Sequence, residues 1–176
     1  MTIAMQPIYT QTIGAGGAYA FTFNNIPQYF TDLVLDVSTR DTYTPSPNTN
    51  GVDNYMWFNG NNGTTLYSST RLYGTGTGAG ADRLSNSGYI AAFLTTNPTS
   101  TASTFGTGRV TIPNYTSSNF KSFICEGVSE TNGTVAWQTL IAGLFRSTSP
   151  ITSLTFSGQT ALAQYSTATL YGITKG

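Results

Sequence analysis

The chain contains no histidine and a single cysteine, Cys125, among its 176 residues. Histidine is the commonest general base and metal ligand in proteins, so its absence excludes Ser-His and Cys-His hydrolysis and every histidine-containing metal site. One cysteine cannot form a disulfide within the chain or a cysteine metal cluster. Because Cys125 follows the apolar residues Phe123 and Ile124, we expect a buried, unreactive thiol.

Charge is also scarce. Charged residues make up 8% of the chain, and seven Lys and Arg balance seven Asp and Glu, whereas an average soluble domain carries about 25% charged residues. Such a surface does not collect phosphates, so we predict no nucleic-acid partner. No apolar run approaches the roughly 20 residues of a membrane span, and the N-terminus lacks a basic start. We therefore expect neither membrane insertion nor secretion.

The few acidic residues offer little for catalysis. Glu126 and Glu130 are the nearest candidates for a glycosidase pair, but isolated surface carboxylates more often only solvate the surface. No spacing of the acids matches a calcium loop, and the glycine run at 74–80 lacks the lysine and the following helix of a phosphate loop. We predict a non-enzymatic protein with no catalytic residue, no metal and no cofactor.

The residues that are abundant indicate an all-β fold. Aromatic residues make up 13% of the chain, and short runs of Val, Ile, Thr, Tyr and Phe alternate with Gly, Asn, Pro and Ser clusters. Leu33, Leu35 and Val37 alternate with polar residues, which is typical of a half-buried strand. We predict one domain, 1–176: an antiparallel, jelly-roll-like β-sandwich of about nine or ten strands with long Gly/Asn/Ser/Thr loops.

Several local predictions follow from turn residues and spacing. Residues 8–13 and 18–23 flank a glycine-rich turn and are interpreted as a hairpin. Residues 134–146 fit both helical and strand spacing, and the all-β context favours a strand. Residues 41–53 are expected to form a surface loop or an arm, residues 74–80 a flexible turn, and residues 1–9 an extended N-terminal arm.

A resemblance to known proteins rests on segments spread along the chain. The closing segment contains Leu170-Tyr171-Gly172-Ile173, and it is preceded by similar stretches at 26–35, 67–74 and 143–148. In this order they resemble a family of small bacteriophage virion proteins, as in tailed cyanophages. The resemblance implies a particle component, located in the capsid as a decoration or cement protein or in the tail, and it carries over no catalytic residue.

The leading functional hypothesis is a decoration or cement protein on the capsid exterior. Its expected partners are the major capsid protein and copies of itself, as a homotrimer or homodimer. The alternative is a tail or fibre protein that binds host saccharide, for which Tyr55, Trp57, Tyr67 and Tyr73 could form a stacking platform. The candidate interface residues are Tyr43, Pro45, Pro47, Trp57, Arg71, Tyr73 and Arg83.

Overall fold

Alternating apolar and polar side chains form the strands of this protein, as at Asp32–Thr39, where Leu33, Leu35 and Val37 are buried. The computed structural model describes residues 4–44, 51–63, 65–133 and 135–174. These contain twelve strands: β1 (Ala4–Thr12), β2 (Ala18–Phe23), β3 (Asp32–Thr39), β4 (Val52–Phe58), β5 (Tyr67–Gly74), β6 (Ala79–Ser87), β7 (Ile90–Thr95), β8 (Gly106–Ile112), β9 (Lys121–Ser129), β10 (Trp137–Phe145), β11 (Leu154–Leu162) and β12 (Thr167–Thr174). Within the described ranges, no helix is long and apolar enough to cross a membrane.

The strands form two antiparallel sheets. The large sheet has the order β1-β12-β3-β8-β9-β10-β5-β6, and the small sheet has the order β2-β11-β4-β7. The paired neighbours β5–β6 and β9–β10 are hairpins. Without them, the remaining eight strands form two four-stranded sheets, β1-β12-β3-β8 and β2-β11-β4-β7, with the connectivity of a jelly roll. The predicted all-β sandwich is confirmed, with twelve strands instead of nine or ten.

The two hairpins explain the unequal size of the sheets. Each is inserted between consecutive strands of the jelly roll, and both join the large sheet beyond β8. The second hairpin also resolves the ambiguous segment, because Trp137–Phe145 is strand β10, paired on both sides. The strand predicted there is confirmed.

Aromatic rings fill the space between the sheets. Phe58 of the small sheet is fully buried, and its ring centroid lies 5.4 Å from that of Phe123 and 5.3 Å from that of Phe145, both in the large sheet. Phe93 and Phe156 form a second contact at 5.3 Å within the small sheet. Burial of such side chains stabilises each by about 1.5–3 kcal/mol, so the aromatic core is the main link between the sheets.

The expected hairpin of residues 8–13 and 18–23 is wrong. β1 pairs with β12 and β2 pairs with β11, so the two strands lie in different sheets. Gly16 and Gly17 have positive φ angles and carry the chain from one sheet to the other. Residues 4–9 of the expected N-terminal arm lie in β1 at the sheet edge.

The loop expected at 41–53 is shorter at its C-terminal end, because residues 52 and 53 lie in β4, and residues 45–50 lie outside the described residues. Asp41 is buried, and its carboxylate accepts hydrogen bonds from the backbone N–H groups of Tyr43 and Gln159, both at 2.6 Å. The 41–53 segment is thus anchored at its start, and it ends in β4. The turn predicted at 74–80 is confirmed, since this glycine-rich stretch is the tip of the β5–β6 hairpin, closed by a 2.8 Å hydrogen bond from Thr75 N–H to Gly78 O.

Candidate binding surfaces

The outward face of β9 is unusually apolar for a solvent-facing sheet. In this strand Phe123 and Cys125 point into the core, while Ile124 and Val128 remain 44% and 41% exposed on the opposite face. The alternation follows from the two-residue period of a strand. Two large aliphatic side chains of one strand are therefore presented to solvent.

The neighbouring strands extend this surface. Leu140 of β10 lies opposite Leu72 of β5 in the register, and Ala142 lies opposite Ile124 of β9. Leu140 and Leu72 are 45% and 55% exposed. A shallow depression of about 370 Å³ lies between β9 and β10, next to Thr111. We call the set of Leu72, Ile124, Val128, Leu140 and Ala142 the outer apolar face.

One charged residue lies within the outer apolar face, because Glu126 is outward-facing between Ile124 and Val128 and lies opposite Leu140, and an ion pair borders the face on β8 and β3. Arg109 of β8 binds Asp36 of β3 through two hydrogen bonds of 2.6 and 2.7 Å, and it lies opposite Glu126 in the register. The hydrogen bonds to Asp36 raise the pKa of Arg109 above its ordinary value. Because both partners are well exposed, this pair contributes little to stability. The Arg109–Asp36 pair marks the boundary between the outer apolar face and the polar part of the sheet.

A second concave site lies between the β5–β6 hairpin and the β4–β7 pair of the small sheet. Arg71 is its central residue: Nη1 lies 2.6 Å from Asp53 Oδ1, and Nη2 lies 2.5 Å from Asp82 Oδ2. Burial lowers the pKa of Arg71, but its hydrogen bonds and the charges of Asp82 and Asp53 outweigh burial and raise it. The guanidinium also lies 5.7 Å from the ring of Tyr73.

Two tyrosines form the other wall of this cleft, whose volume is about 220 Å³. The rings of Tyr55 and Tyr89 are 4.6 Å apart and tilted by 58°. The Tyr55 hydroxyl donates a 2.9 Å hydrogen bond to Gln159 Oε1. Burial and the nearby Asp53 charge raise the pKa of Tyr55 to about 12, so the hydroxyl is neutral at ordinary pH. We call this site the tyrosine–aspartate cleft.

Three of the expected interface residues come together on the β5–β6 hairpin. Arg71 lines the tyrosine–aspartate cleft and contacts Tyr73, whereas Arg83 borders the cleft through its strand and lies opposite Thr70, on the outward face. Trp57 is half-buried against the core, and Tyr43 is half-buried beside Asp41. Pro45 and Pro47 lie outside the described residues.

The predicted four-residue stacking platform is not formed. Tyr67 is fully buried in the core, and the ring of Tyr73 packs 5.5 Å from that of Trp137. Of the four aromatic residues, only Tyr55 reaches the tyrosine–aspartate cleft, where its neighbour is Tyr89. The sequence reasoning missed Tyr89 because it lies between β6 and β7, far along the chain from Tyr55.

The outer apolar face was also missed, although a pattern pointed to it. Ile124 follows Phe123, and Leu140 precedes Ile141, so apolar residues occupy both faces of β9 and β10. A strand with one solvated face normally alternates apolar and polar residues. Consecutive apolar residues in a strand without a second covering layer therefore indicate an exposed apolar surface.

The side chains with reactive chemistry are separated. Glu130 binds the backbone N–H groups of Thr131 and Asn132 in its own turn, whereas Glu126 lies on the outward face of β9. Cys125 is fully buried as predicted, and burial raises the pKa of its thiol. In the part of the chain that the structure describes, no three Cys, Asp or Glu side chains form a potential metal site.

No protein-family model matches the chain, and no curated protein or solved structure is significantly similar to it. The virion interpretation therefore stays a prediction from the sequence segments quoted above.

Proposed function

We propose that this protein is a non-enzymatic structural component of a bacteriophage particle, which docks onto protein surfaces through its outer apolar face. The observation that carries the proposal is the exposure of Leu72, Leu140 and Ile124 on three paired strands, with Leu72 directly opposite Leu140 and Ile124 diagonal to it. Scattered exposed aliphatic residues need no explanation, but a contiguous patch bordered by polar residues marks an interaction site.

The dimensions of the sheet suit a stable interface. Eight strands of seven to nine residues, at about 4.8 Å spacing and about 3.4 Å per residue, give a face on the order of 1,000 Å². A standard protein interface takes about 800 Å² from each partner. One face of the large sheet is therefore large enough for such a contact.

The proposed location is the capsid exterior, where the partners would be the major capsid protein and copies of this chain as a homodimer or homotrimer. The support is the resemblance of its sequence segments to phage virion proteins. A protein that binds the assembled shell and not its separated subunits stabilises the shell by linkage. Because the chain has no net charge, its binding should depend little on salt.

Reconstitution tests this proposal. Purified protein is added to virions assembled without it, and bound copies, their position by cryo-electron microscopy and the temperature of genome release are measured. We expect wild-type protein to occupy the capsid lattice and raise the release temperature, and Leu140→Asp to lose both effects. The matched control is Tyr19→Asp, which changes an exposed residue of the small sheet. Wild-type copies confined to the tail, or full capsid binding by Leu140→Asp, would contradict the proposal.

The tail or fibre alternative, with a saccharide as ligand, has one specific structural argument in its favour. The tyrosine–aspartate cleft combines aromatic rings with carboxylate acceptors, as Tyr89 and Asp53 illustrate. Saccharide recognition at this cleft does not depend on the outer apolar face.

A further inference from the structure

The aromatic wall of the tyrosine–aspartate cleft is rigid and partly open. Tyr55 is fixed by its hydrogen bond to Gln159 and by its contact with Tyr89. Tyr89 keeps 36% of its surface exposed, so part of the aromatic wall remains available. Aromatic rings present an apolar surface with a polar hydroxyl at the end, which suits ligands that have both apolar and hydroxyl groups.

The opposite wall holds two carboxylates at fixed positions. Arg71 binds Asp82 through Nε and Nη2 and binds Asp53 through Nη1. Among the described residues, Asp53 Oδ2 has no hydrogen-bond partner, and the side chains of Asp53 and Asp82 are 32% and 46% exposed. A carboxylate accepts several hydrogen bonds, so both retain capacity for hydroxyl donors.

The charges of the cleft are paired with one another. Arg71 binds both Asp53 and Asp82, whereas Arg83 lies opposite Thr70 in the register, so its side chain projects from the other face of the hairpin. A cation would lie beside the Arg71 guanidinium, and an anion would lie beside two carboxylates. The surroundings therefore favour an uncharged ligand that donates hydrogen bonds to the carboxylates.

We propose that the tyrosine–aspartate cleft binds one ring of a neutral saccharide, with its hydroxyl groups donating to Asp53 and Asp82 and its C–H face against Tyr89. The volume of about 220 Å³ is below the roughly 300–1,000 Å³ of sites for drug-sized molecules and suits a single sugar unit. This inference gives the saccharide alternative a site. It does not depend on capsid docking, since the outer apolar face is formed by other residues.

The test uses the full chain, labelled with ¹⁵N, and a panel of methyl glycosides of glucose, galactose, mannose and N-acetylglucosamine. Glucuronate and glucosamine serve as the negatively and positively charged probes. We expect at least one neutral glycoside to produce saturable amide shifts at Tyr55, Tyr89 and Asp82, and both charged sugars to bind more weakly. The absence of saturable shifts from all four neutral glycosides would overturn the proposal.

Single substitutions test the contribution of each wall of the cleft to saccharide binding. Tyr89→Ala removes the stacking surface and Asp53→Asn replaces an acceptor with an amide of the same size, and each should weaken binding about tenfold or more. Tyr29→Ala, an exposed tyrosine in the segment between β2 and β3, is the matched control and should bind like wild type. Unaltered affinity in Tyr89→Ala and Asp53→Asn, or an equal loss in Tyr29→Ala, would exclude the cleft as the site. Failure here would leave the docking result for Leu140→Asp unaffected.

Discussion

The backbone N–H of Phe58 donates a 2.8 Å hydrogen bond to the hydroxyl of Tyr67, and this bond joins the two sheets inside the core. Phe58 ends β4 of the small sheet, and Tyr67 begins β5 of the large sheet. Both side chains are fully buried. The phenol ring of Tyr67 also stacks on Phe145 at 5.1 Å, so one residue provides both apolar packing and a polar link.

Replacing Tyr67 with Phe should destabilise the protein by about 1–3 kcal/mol, because the Phe58 N–H would be buried without an acceptor. The ring and its packing are retained, so the loss reports the hydrogen bond and not a cavity. The measurement is the free energy of unfolding in urea. Tyr29→Phe, at an exposed position, is the control and should change it by less than about 0.5 kcal/mol. Equal stabilities of the two variants would contradict the importance of this bond.

Stability should fall at high pH through the same residue. Burial raises the pKa of Tyr67 from 10.0 to about 12. Between these values the folded chain keeps a proton that the unfolded chain has released, so the free energy of unfolding decreases as pH rises. Urea unfolding followed from pH 9 to pH 12 should show this decrease, with a shallower slope in Tyr67→Phe. Tyr55 contributes a similar dependence and remains in the variant.

Local pattern was sufficient for the strands that bury one face and insufficient for those that do not. Leu33, Leu35 and Val37 alternate because one side of β3 faces the core, and the strand was predicted from them. β6 was missed because most of its residues are exposed at the edge of the sheet, so burial imposes no two-residue period. Alternation of apolar and polar residues therefore does not reveal an edge strand that has both faces largely exposed.

Sheet membership is set by contacts distant in sequence. The turn at Gly16 and Gly17 has the residues of a hairpin, yet β1 pairs with β12, where Thr12 lies opposite Thr167. Turn chemistry describes the local backbone and not the sheet in which the next strand lies. The tyrosine–aspartate cleft has the same origin, because Tyr55 and Tyr89 meet only after β4 and β7 have paired.

Two glycines create space for a core side chain. A Cβ atom at Gly127 would lie 2.6 Å from Phe93 Cβ, and one at Gly108 would overlap the end of the Phe93 ring. Gly127→Ala should therefore destabilise the protein by about 1–3 kcal/mol through overpacking. Gly74, where an added Cβ would meet nothing within 4 Å, provides the matched Gly→Ala control, with little expected change.

The mechanism of this loss can be checked with a double-mutant cycle. Phe93→Leu in the Gly127→Ala background should recover part of the stability, because the smaller side chain relieves the overlap. Thermal or urea unfolding of the four proteins measures the interaction energy. Strict additivity of the two substitutions would show that Gly127 is required for another reason.

Ile124 and Cys125 are adjacent in β9 but lie on opposite faces, and their accessibility should differ accordingly. Cys125 is fully buried and burial raises the pKa of its thiol, so both steric access and thiolate formation oppose its reaction. In the native protein we expect labelling by a thiol reagent only at the rate of global unfolding, because β9 is a central strand of the large sheet. The matched variant Ile124→Cys, made together with Cys125→Ala, should label at once. Rapid labelling of native Cys125 would mean that the β9–β10 hairpin opens locally, and the outer apolar face would then lack the rigid support that docking requires.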